Sequence, residues 1–165
     1  MRNFLRSMLD ISLLSVIVFV LCFSANAEAA PSVEYKAHVA GRGWQSWISD
    51  GQIAGTTGQN RQLEAVMIRL TKDEKSMITY CAHVADEGWQ TWRQSGEVAG
   101  TTGQGRRMEA IRIRLNGIYA KKYDVYYRVH VAELGWLDWV KNGQLAGTTG
   151  EGRQMEAIQI ELRAK

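Results

Sequence analysis

The sequence predicts an all-β protein made of three similar repeats. One block, residues 43–58, returns at 88–103 and again at 135–150. Each copy contains two tryptophans three residues apart, a two-residue turn and the sequence Ala-Gly-Thr-Thr-Gly. The segments on either side of the block alternate with a period of two, which is typical of strands and not of helices.

The repeated unit is longer than this block and covers residues 33–70, 78–115 and 125–162 without a gap. Nearly half of its positions carry the same residue in all three copies. The three units have the same length, whereas the segments that join them differ in length and sequence. We therefore expect three repeats of about 45 residues each, counting the joining segments, in a single domain over residues 28–165. We predict pseudo-threefold symmetry and a β-prism-like fold with one sheet per repeat. A β-trefoil and an open array of repeats are the alternatives.

The start of the chain has the three-part pattern of a secretory signal peptide. Arg2 and Arg6 supply positive charge, an uncharged apolar run covers residues 11–23, and small residues follow up to Ala27. The run is shorter than the roughly 20 residues of a membrane-spanning helix, although a membrane anchor is the alternative. We predict that residues 1–27 are removed, with cleavage after Ala27 or after one of the alanines that follow. The mature protein is then expected to be secreted, with a non-covalent partner required for any retention at the cell surface.

Composition excludes several classes of protein. A net charge of +3 is too small, and too evenly spread, for a nucleic-acid-binding surface. Cys22 lies within the predicted signal peptide, which leaves Cys81 as the single cysteine of the mature chain. We therefore expect no internal disulfide, a partly exposed Cys81 thiol, no cofactor and no metal, with packing alone stabilising the domain.

The first and last segments of each unit predict half-buried strands. The odd-numbered residues from Val33 to Val39 are apolar in the first copy, and so are the even-numbered residues from Val66 to Leu70. The other two copies repeat both patterns. Between them, Asp50-Gly51 predicts a two-residue hairpin turn, as do the counterparts of this dipeptide in the other copies. We expect about four strands per unit, about twelve in all, and no helix.

The predicted hairpin separates the two tryptophans of each copy. With Ile48 opposite Ile53 and Trp47 opposite Ala54, Trp44 shares the face of Ile53 and is expected in the core. The tryptophans assigned to the structure in this way are Trp44, Trp89 and Trp136. Those on the opposite face are candidate ligand platforms, because an exposed indole suits sugar rings and aromatic partners. They are Trp47, Trp92 and Trp139. Burial of that face against a neighbouring repeat is the alternative.

One histidine per unit lies on the polar side of the first strand. These residues are His38, His83 and His130. A structural hydrogen bond to the backbone or to a threonine is expected for each, and a polar contact with a ligand is the second interpretation. A metal site would require all three to meet, which we do not expect.

Each unit also has a glutamate three residues after an arginine. The pairs are Arg61 with Glu64, Arg106 with Glu109, and Arg153 with Glu156. By alternation the glutamates fall on the apolar face of the last strand, where a carboxylate is costly unless it is paired. We predict a structural Arg–Glu pair for every copy, either within a repeat or between repeats. No second carboxylate recurs beside the glutamate, which argues against hydrolytic acid catalysis.

Ala-Gly-Thr-Thr-Gly lacks the lysine and the following helix of a phosphate-binding loop, so its glycines are expected to permit a bulge or a tight turn. Together, Tyr-x-x-His-Val, Gly-Trp-x-x-Trp, Ala-Gly-Thr-Thr-Gly and Arg-x-x-Glu-Ala-x-x-Ile-x-Leu resemble the ChW repeat, "clostridial hydrophobic with a tryptophan". The match covers residues 33–162, and Leu137 replaces the glutamine found at Gln45 and Gln90. The resemblance implies a secreted or cell-surface protein of Gram-positive bacteria, with carbohydrate binding, adhesion or protein contacts as proposed roles. It implies no catalytic residues.

Repetition favours a binding module over an enzyme, because a catalytic site needs one asymmetric arrangement of reactive groups. Three equal copies suit multivalent attachment. The expected partner is a polysaccharide or a cell-wall glycan. A cell-surface protein, bound during adhesion or surface assembly, is the alternative. Neither nucleic acid nor, after signal cleavage, a membrane is expected as a partner.

Overall fold

A computed structural model describes residues 30–72 and 77–165 of the chain. The predicted signal peptide, residues 1–27, lies outside the described residues, and its removal stays a prediction. Within the described part, no helix is both long and apolar enough to cross a membrane.

Each repeat forms five strands in the described residues, one more than predicted. In repeat 1 these are β1 (Val33–Val39), β2 (Gly43–Trp44), β3 (Ile48–Ser49), β4 (Ala54–Gly55) and β5 (Leu63–Leu70). In repeat 2 they are β6 (Ile78–Val84), β7 (Gly88–Trp89), β8 (Arg93–Gln94), β9 (Ala99–Gly100) and β10 (Met108–Leu115). In repeat 3 they are β11 (Tyr123–Val131), β12 (Gly135–Trp136), β13 (Val140–Lys141), β14 (Ala146–Gly147) and β15 (Met155–Ala164). The extra strand arises because the chain pairs with β1 at Trp44, leaves it, and pairs with it again at Ile48.

The join between repeats 2 and 3 contains a short helix, α1 (Gly117–Lys122), so the prediction of no helix is wrong. Lys121 and Lys122 lie in its last turn, where positive charge is favourable. A helix of this length is shorter than two turns, so it leaves no helical period for the sequence to reveal.

The two long strands of each repeat form the centre of a five-stranded antiparallel sheet. The residues of β1 alternate between buried and partly exposed, and Val33, Tyr35, Ala37 and Val39 are completely buried. The predicted alternation is therefore confirmed. The inner faces of all three sheets contribute to a single apolar core, so one core holds the three repeats together.

The fifth strand of each sheet comes from another repeat. Strand β9 of repeat 2 pairs with β5 of repeat 1, β14 of repeat 3 pairs with β10 of repeat 2, and β4 of repeat 1 pairs with β15 of repeat 3. This cyclic exchange closes the three repeats into a ring, which excludes the open array. The all-β class and the three repeats are confirmed, but "one sheet per repeat" holds for only four strands of each sheet. The β-prism-like shape stays a prediction.

The exchange also overturns the predicted hairpin register. The turn itself forms, because the Gln52 N–H donates to the Ser49 carbonyl at 3.1 Å and Gly51 has a φ of +74°. Strands β3 and β4 on either side of it do not pair with each other; β3 joins β1, and β4 joins repeat 3. The predicted opposition of Ile48 with Ile53 and of Trp47 with Ala54 is therefore wrong. A longer strand in another repeat satisfies the backbone of β4 instead.

Three buried tyrosines reinforce the ring. The Tyr35 hydroxyl donates to the Gln52 carbonyl of its own repeat and accepts the Ile160 N–H of repeat 3 at 3.1 Å. Tyr80 and Tyr127 repeat this bridge at the other two junctions. Burial raises the pKa of Tyr35 and of Tyr127 to about 12, and it also raises the pKa of Tyr80. Each phenol therefore stays protonated and joins two repeats at neutral pH.

Candidate functional site

The outer face of each sheet carries the candidate site, and a β-bulge shapes it. Between His38 and Val39 the register of β1 against β5 shifts by one residue, which leaves Glu64 as the extra residue. The same shift occurs at Glu109 and Glu156. The bulge interrupts the alternation on which the sequence prediction depended. The glutamates therefore do not follow the core face but approach the histidines on the outer side.

Each glutamate is buried and contacts the histidine of its own repeat. The distance from His38 Nδ1 to Glu64 Oε2 is 3.0 Å, and the corresponding distances in repeats 2 and 3 are both 3.1 Å. The contact is close but is not a well-formed hydrogen bond, because the histidine Nδ1 atoms have no hydrogen-bond partner within the described residues. The prediction that histidine bonds to the backbone or to a threonine named the wrong partner.

In the part of the chain that the structure describes, the predicted Arg–Glu pairs form neither within a repeat nor between repeats. Arg61 donates to the Ala40 carbonyl at 3.2 Å, and Arg106 instead pairs with Glu87 at 2.6 Å. Arg153 pairs with Glu133 and Glu151. These arginines lie before the bulge, on loops at the sheet edge, whereas the glutamate side chain is turned toward histidine. The structural pair predicted from spacing is thus replaced by a His–Glu pair, and in repeat 2 Arg107, the residue after the predicted arginine, also pairs with Glu109 at 2.7 Å.

The first tryptophan of each copy lies on the outer face, and its predicted core position is wrong. Trp44 is half-buried and meets His38 edge to face, with ring centroids 5.3 Å apart. Trp89 and Trp136 meet His83 and His130 in the same way. Trp44 is opposite His38 in the β1–β2 register, so it follows the histidine to the polar side of the sheet.

Ile53, the expected core partner of this tryptophan, is 49% exposed. It lies beyond the turn, between β3 and β4, where the chain leaves its own sheet for repeat 3. The failed hairpin register therefore accounts for this error as well.

The second tryptophan of each copy lies on the same face and is covered by cations. The Lys36 ammonium is 4.9 Å from the ring centres of both Trp44 and Trp47, and the Arg69 guanidinium is 4.1 Å from Trp47. In repeat 3, Arg128 bridges its two tryptophans similarly, at 4.8 and 4.9 Å. These distances are typical of cation–π contacts. Each outer face therefore combines two indoles, a His–Glu pair and basic side chains.

Repeat 2 departs from this pattern because Cys81 occupies the position of Lys36 and Arg128. Among the described residues no single cation lies over both of its tryptophans. Trp89 and Trp92 are 39% and 38% exposed, respectively, whereas their counterparts are half-buried. Cys81 itself is buried, which corrects the expectation of a partly exposed thiol. Burial raises the pKa of this thiol, and it is therefore protonated and unreactive at neutral pH.

Gln45, which was not among the predicted site residues, holds β4, the strand that pairs with repeat 3. The Gln45 side chain accepts the Gly55 N–H at 2.6 Å and donates to the Gly55 carbonyl at 3.1 Å. Gln90 does the same for Gly100. Leu137 replaces this glutamine in repeat 3 and packs against the core instead. The sequence signal for this role was the glutamine that directly follows the first tryptophan in repeats 1 and 2.

Ala-Gly-Thr-Thr-Gly joins one repeat to another. The Thr56 N–H donates at 2.9 Å to the carbonyl of Glu156, the bulge residue of repeat 3. Gly55 has a φ of +104°, and a Cβ there would lie 2.3 Å from the same carbonyl oxygen. The Thr56 hydroxyl is buried without a hydrogen-bond partner in the described residues. The motif therefore needs glycine for close backbone contact, and it supports the bulge that positions His130 and its glutamate.

A polar cleft and the three histidines are the other places to consider for a ligand or a metal. An open polar cleft of about 340 Å³ lies where the loops of repeats 1 and 3 meet, lined by residues such as Asn60, Glu133 and Arg153. The three histidines lie on three separate sheets, and no group of three or more metal-ligating side chains occurs in the part of the chain that the structure describes.

Comparison with known proteins identifies the family. A family model described as "Clostridial hydrophobic W" matches residues 38–72, 83–117 and 130–164. Each match begins at the histidine of the His–Glu pair and runs through both tryptophans, the bulge and the last long strand. No curated protein and no solved structure gave a significant match. The three matches together cover more than half of the chain, which therefore belongs to the ChW (clostridial hydrophobic W) family.

Proposed function

We propose that this protein is a secreted, non-catalytic binding module that attaches to carbohydrate or cell wall through its three outer faces. The observation that carries the proposal is the repeated combination of two partly exposed indoles, basic side chains and a buried His–Glu pair on every sheet. Indoles supply flat apolar surface for sugar rings, and the basic groups supply hydrogen-bond donors.

The candidate platforms now include both tryptophans of each copy. Trp47, Trp92 and Trp139 were predicted as ligand residues, and Trp44, Trp89 and Trp136 share their faces. The histidines hold the first tryptophan edge-on and are themselves largely buried, so we assign them to positioning the indole. The glutamate behind each histidine fixes the orientation of its ring.

Three faces on one ring favour a repeating ligand. A single indole face binds sugar weakly, with a Kd of about 1 mM. Several faces bound to one polymer can raise the apparent affinity roughly 10²- to 10⁴-fold. Retention on an insoluble polysaccharide should therefore be much stronger than binding to a short oligosaccharide.

The test is a pull-down of the purified protein on insoluble polysaccharides and purified cell wall, beside a glycan array. Replacing Trp47, Trp92 and Trp139 by alanine one at a time should weaken retention in steps. Ile118→Ala is the matched control, because Ile118 is 56% exposed on α1, outside the three faces. If the folded triple variant still binds the polymer fully, the proposed site is wrong.

A cell-surface protein is the alternative partner. Tryptophan and arginine are the residues most enriched in the energetic centres of protein interfaces, and Arg114 lies 4.0 Å from the ring centre of the exposed Trp92. Surface attachment that resists competition by every glycan, and is lost when surface proteins are removed by protease, would favour this adhesion role.

A further inference from the structure

The three outer faces differ in the charges that remain unpaired. In repeat 1, Arg69 lies over Trp47, but its Nε also donates to Glu34 at 2.7 Å. In repeat 3, Arg163 donates to Glu161 at 2.6 Å. In repeat 1 an internal carboxylate therefore occupies the arginine closest to Trp47, and in repeat 3 one occupies the arginine closest to Tyr126. Arg128, which is closer to Trp139, donates to the Gln159 side chain at 2.8 Å.

In repeat 2 the outer-face carboxylate, Glu109, pairs with His83 and Arg107 and not with the arginines beside the tryptophans. Thr79 stands at the position of Glu34, and Arg114 donates to its hydroxyl at 3.2 Å while lying 4.0 Å from the ring centre of Trp92. Arg112 lies 5.0 Å from the ring centre of Trp89, and its buried Nε has no hydrogen-bond partner. Within residues 30–72 and 77–165, neither arginine has a carboxylate at ion-pair distance.

These charges coincide with the most exposed indoles. Cys81 replaces the bridging cation of the other repeats, and this leaves Trp89 and Trp92 more open than their counterparts. A guanidinium has a planar set of donors that matches the oxygens of a carboxylate or a phosphate. Two such groups without an internal carboxylate in the described residues, beside two open indoles, complement a ligand that has both sugar rings and negative charges.

We propose that the outer face of repeat 2 is the principal binding site and that it takes an anionic polysaccharide. Trp89 and Trp92 stack on sugar rings, while Arg112 and Arg114 bind its carboxylate or phosphate groups. This inference rests on the proposed function and adds to it the class of ligand and the non-equivalence of the three faces.

The probes are polygalacturonate, the same polymer after complete methyl esterification, and a phosphomannan. We expect binding to polygalacturonate to be about tenfold tighter than to its neutral ester, and to weaken as salt concentration rises. The phosphomannan arm distinguishes phosphate from carboxylate as the recognised group, and tight binding to either anionic polymer supports the proposal. Equal binding to the ester and to both anionic polymers would overturn it.

The key variant is Arg112→Gln with Arg114→Gln. It should weaken binding to the anionic polymer by about tenfold, with partial rescue by the corresponding lysine pair, which keeps the charge. Lys121→Gln with Lys122→Gln is the matched control and should change binding by less than about twofold, because it removes the same charge from α1, outside the three outer faces. Melting temperatures confirm that each variant is folded.

The two proposals fail in different ways. If tryptophan substitutions reduce polymer binding while the double arginine variant behaves like the double lysine control on α1, the anionic site is wrong and the carbohydrate-binding function stands. If the protein binds none of the polymers, nor purified cell wall, both proposals are rejected.

Discussion

Removing the hydroxyl of Tyr35 tests whether the tyrosine bridges close the ring of repeats. Tyr35→Phe keeps the buried ring and deletes only the oxygen that accepts the Ile160 N–H at 3.1 Å and donates to the Gln52 carbonyl. Ile160 is fully buried and its N–H donates to this hydroxyl, so the substitution leaves the amide without a hydrogen-bond acceptor. We expect a loss of about 1–3 kcal/mol in the free energy of unfolding.

The assay is urea denaturation, with hydrogen exchange as a local measurement. A loss of this size lowers the melting temperature by roughly 4 °C per kcal/mol for a domain of this length. Exchange should accelerate at the Ile160 amide, while the equivalent amides at Ile68 and Ile113 keep their protection because Tyr80 and Tyr127 still bond to them.

The matched control is Tyr126→Phe, since Tyr126 lies on the outer face and is only partly buried. It should cost less than about 0.5 kcal/mol. If Tyr35→Phe costs no more than this control and leaves exchange at Ile160 unchanged, the hydroxyl bridge does not hold repeats 1 and 3 together.

The same tyrosines predict alkaline unfolding. An unfolded tyrosine has a pKa near 10, whereas burial raises the pKa of Tyr35 and Tyr127 to about 12 in the folded protein. The folded state therefore holds these protons more tightly. Their contribution is fully present below pH 10 and is lost as pH rises from about 10 toward 12. Stability curves in this range should fall less steeply for a Tyr35→Phe, Tyr127→Phe variant than for the wild type.

Three further substitutions test individual contacts by chemical denaturation. Gly55→Ala should lower the free energy of unfolding by more than about 2 kcal/mol, because the new Cβ would lie 2.3 Å from a backbone oxygen. Gly58→Ala is the control: this glycine also has a positive φ but has open space around it, so the loss should be about 1 kcal/mol. Gln45→Leu removes two hydrogen bonds to Gly55 and should cost about 1–2 kcal/mol; no loss would mean that the strand needs no clamp. His38→Phe keeps an aromatic ring beside Trp44 but leaves the Glu64 carboxylate buried without its closest partner, so the free energy of unfolding should fall by about 3 kcal/mol. Adding Glu64→Leu should recover part of this loss.

The sequence by itself determined the class of fold and the number of repeats. Alternation from Val33 to Val39 predicted a strand with one buried face, because side chains of a strand point to opposite sides in turn. The dipeptide Asp50-Gly51 predicted a tight turn, which forms. These signals are local, since each depends only on neighbouring residues of one segment, and all were confirmed.

Only the tertiary structure decided which strands pair beyond the long central ones. Strand β4 finds its partner in β15, about a hundred residues away in sequence, and no local pattern distinguishes that partner from β3. The hairpin register failed for this reason, and so did the core position of Trp44 that was derived from it.

The bulge at Glu64 decided the chemistry of the outer face. One extra residue in β5 shifts the glutamate out of the alternating pattern and toward His38, so the spacing to Arg61 no longer predicts its partner. The difference between repeats was visible in the sequence as Cys81 and Thr79, but its consequence depended on how the strands align. Only the register places these two residues beside Arg112 and Arg114, where a missing cation opens the indoles and a missing carboxylate leaves the arginines without an ion-pair partner in the described residues.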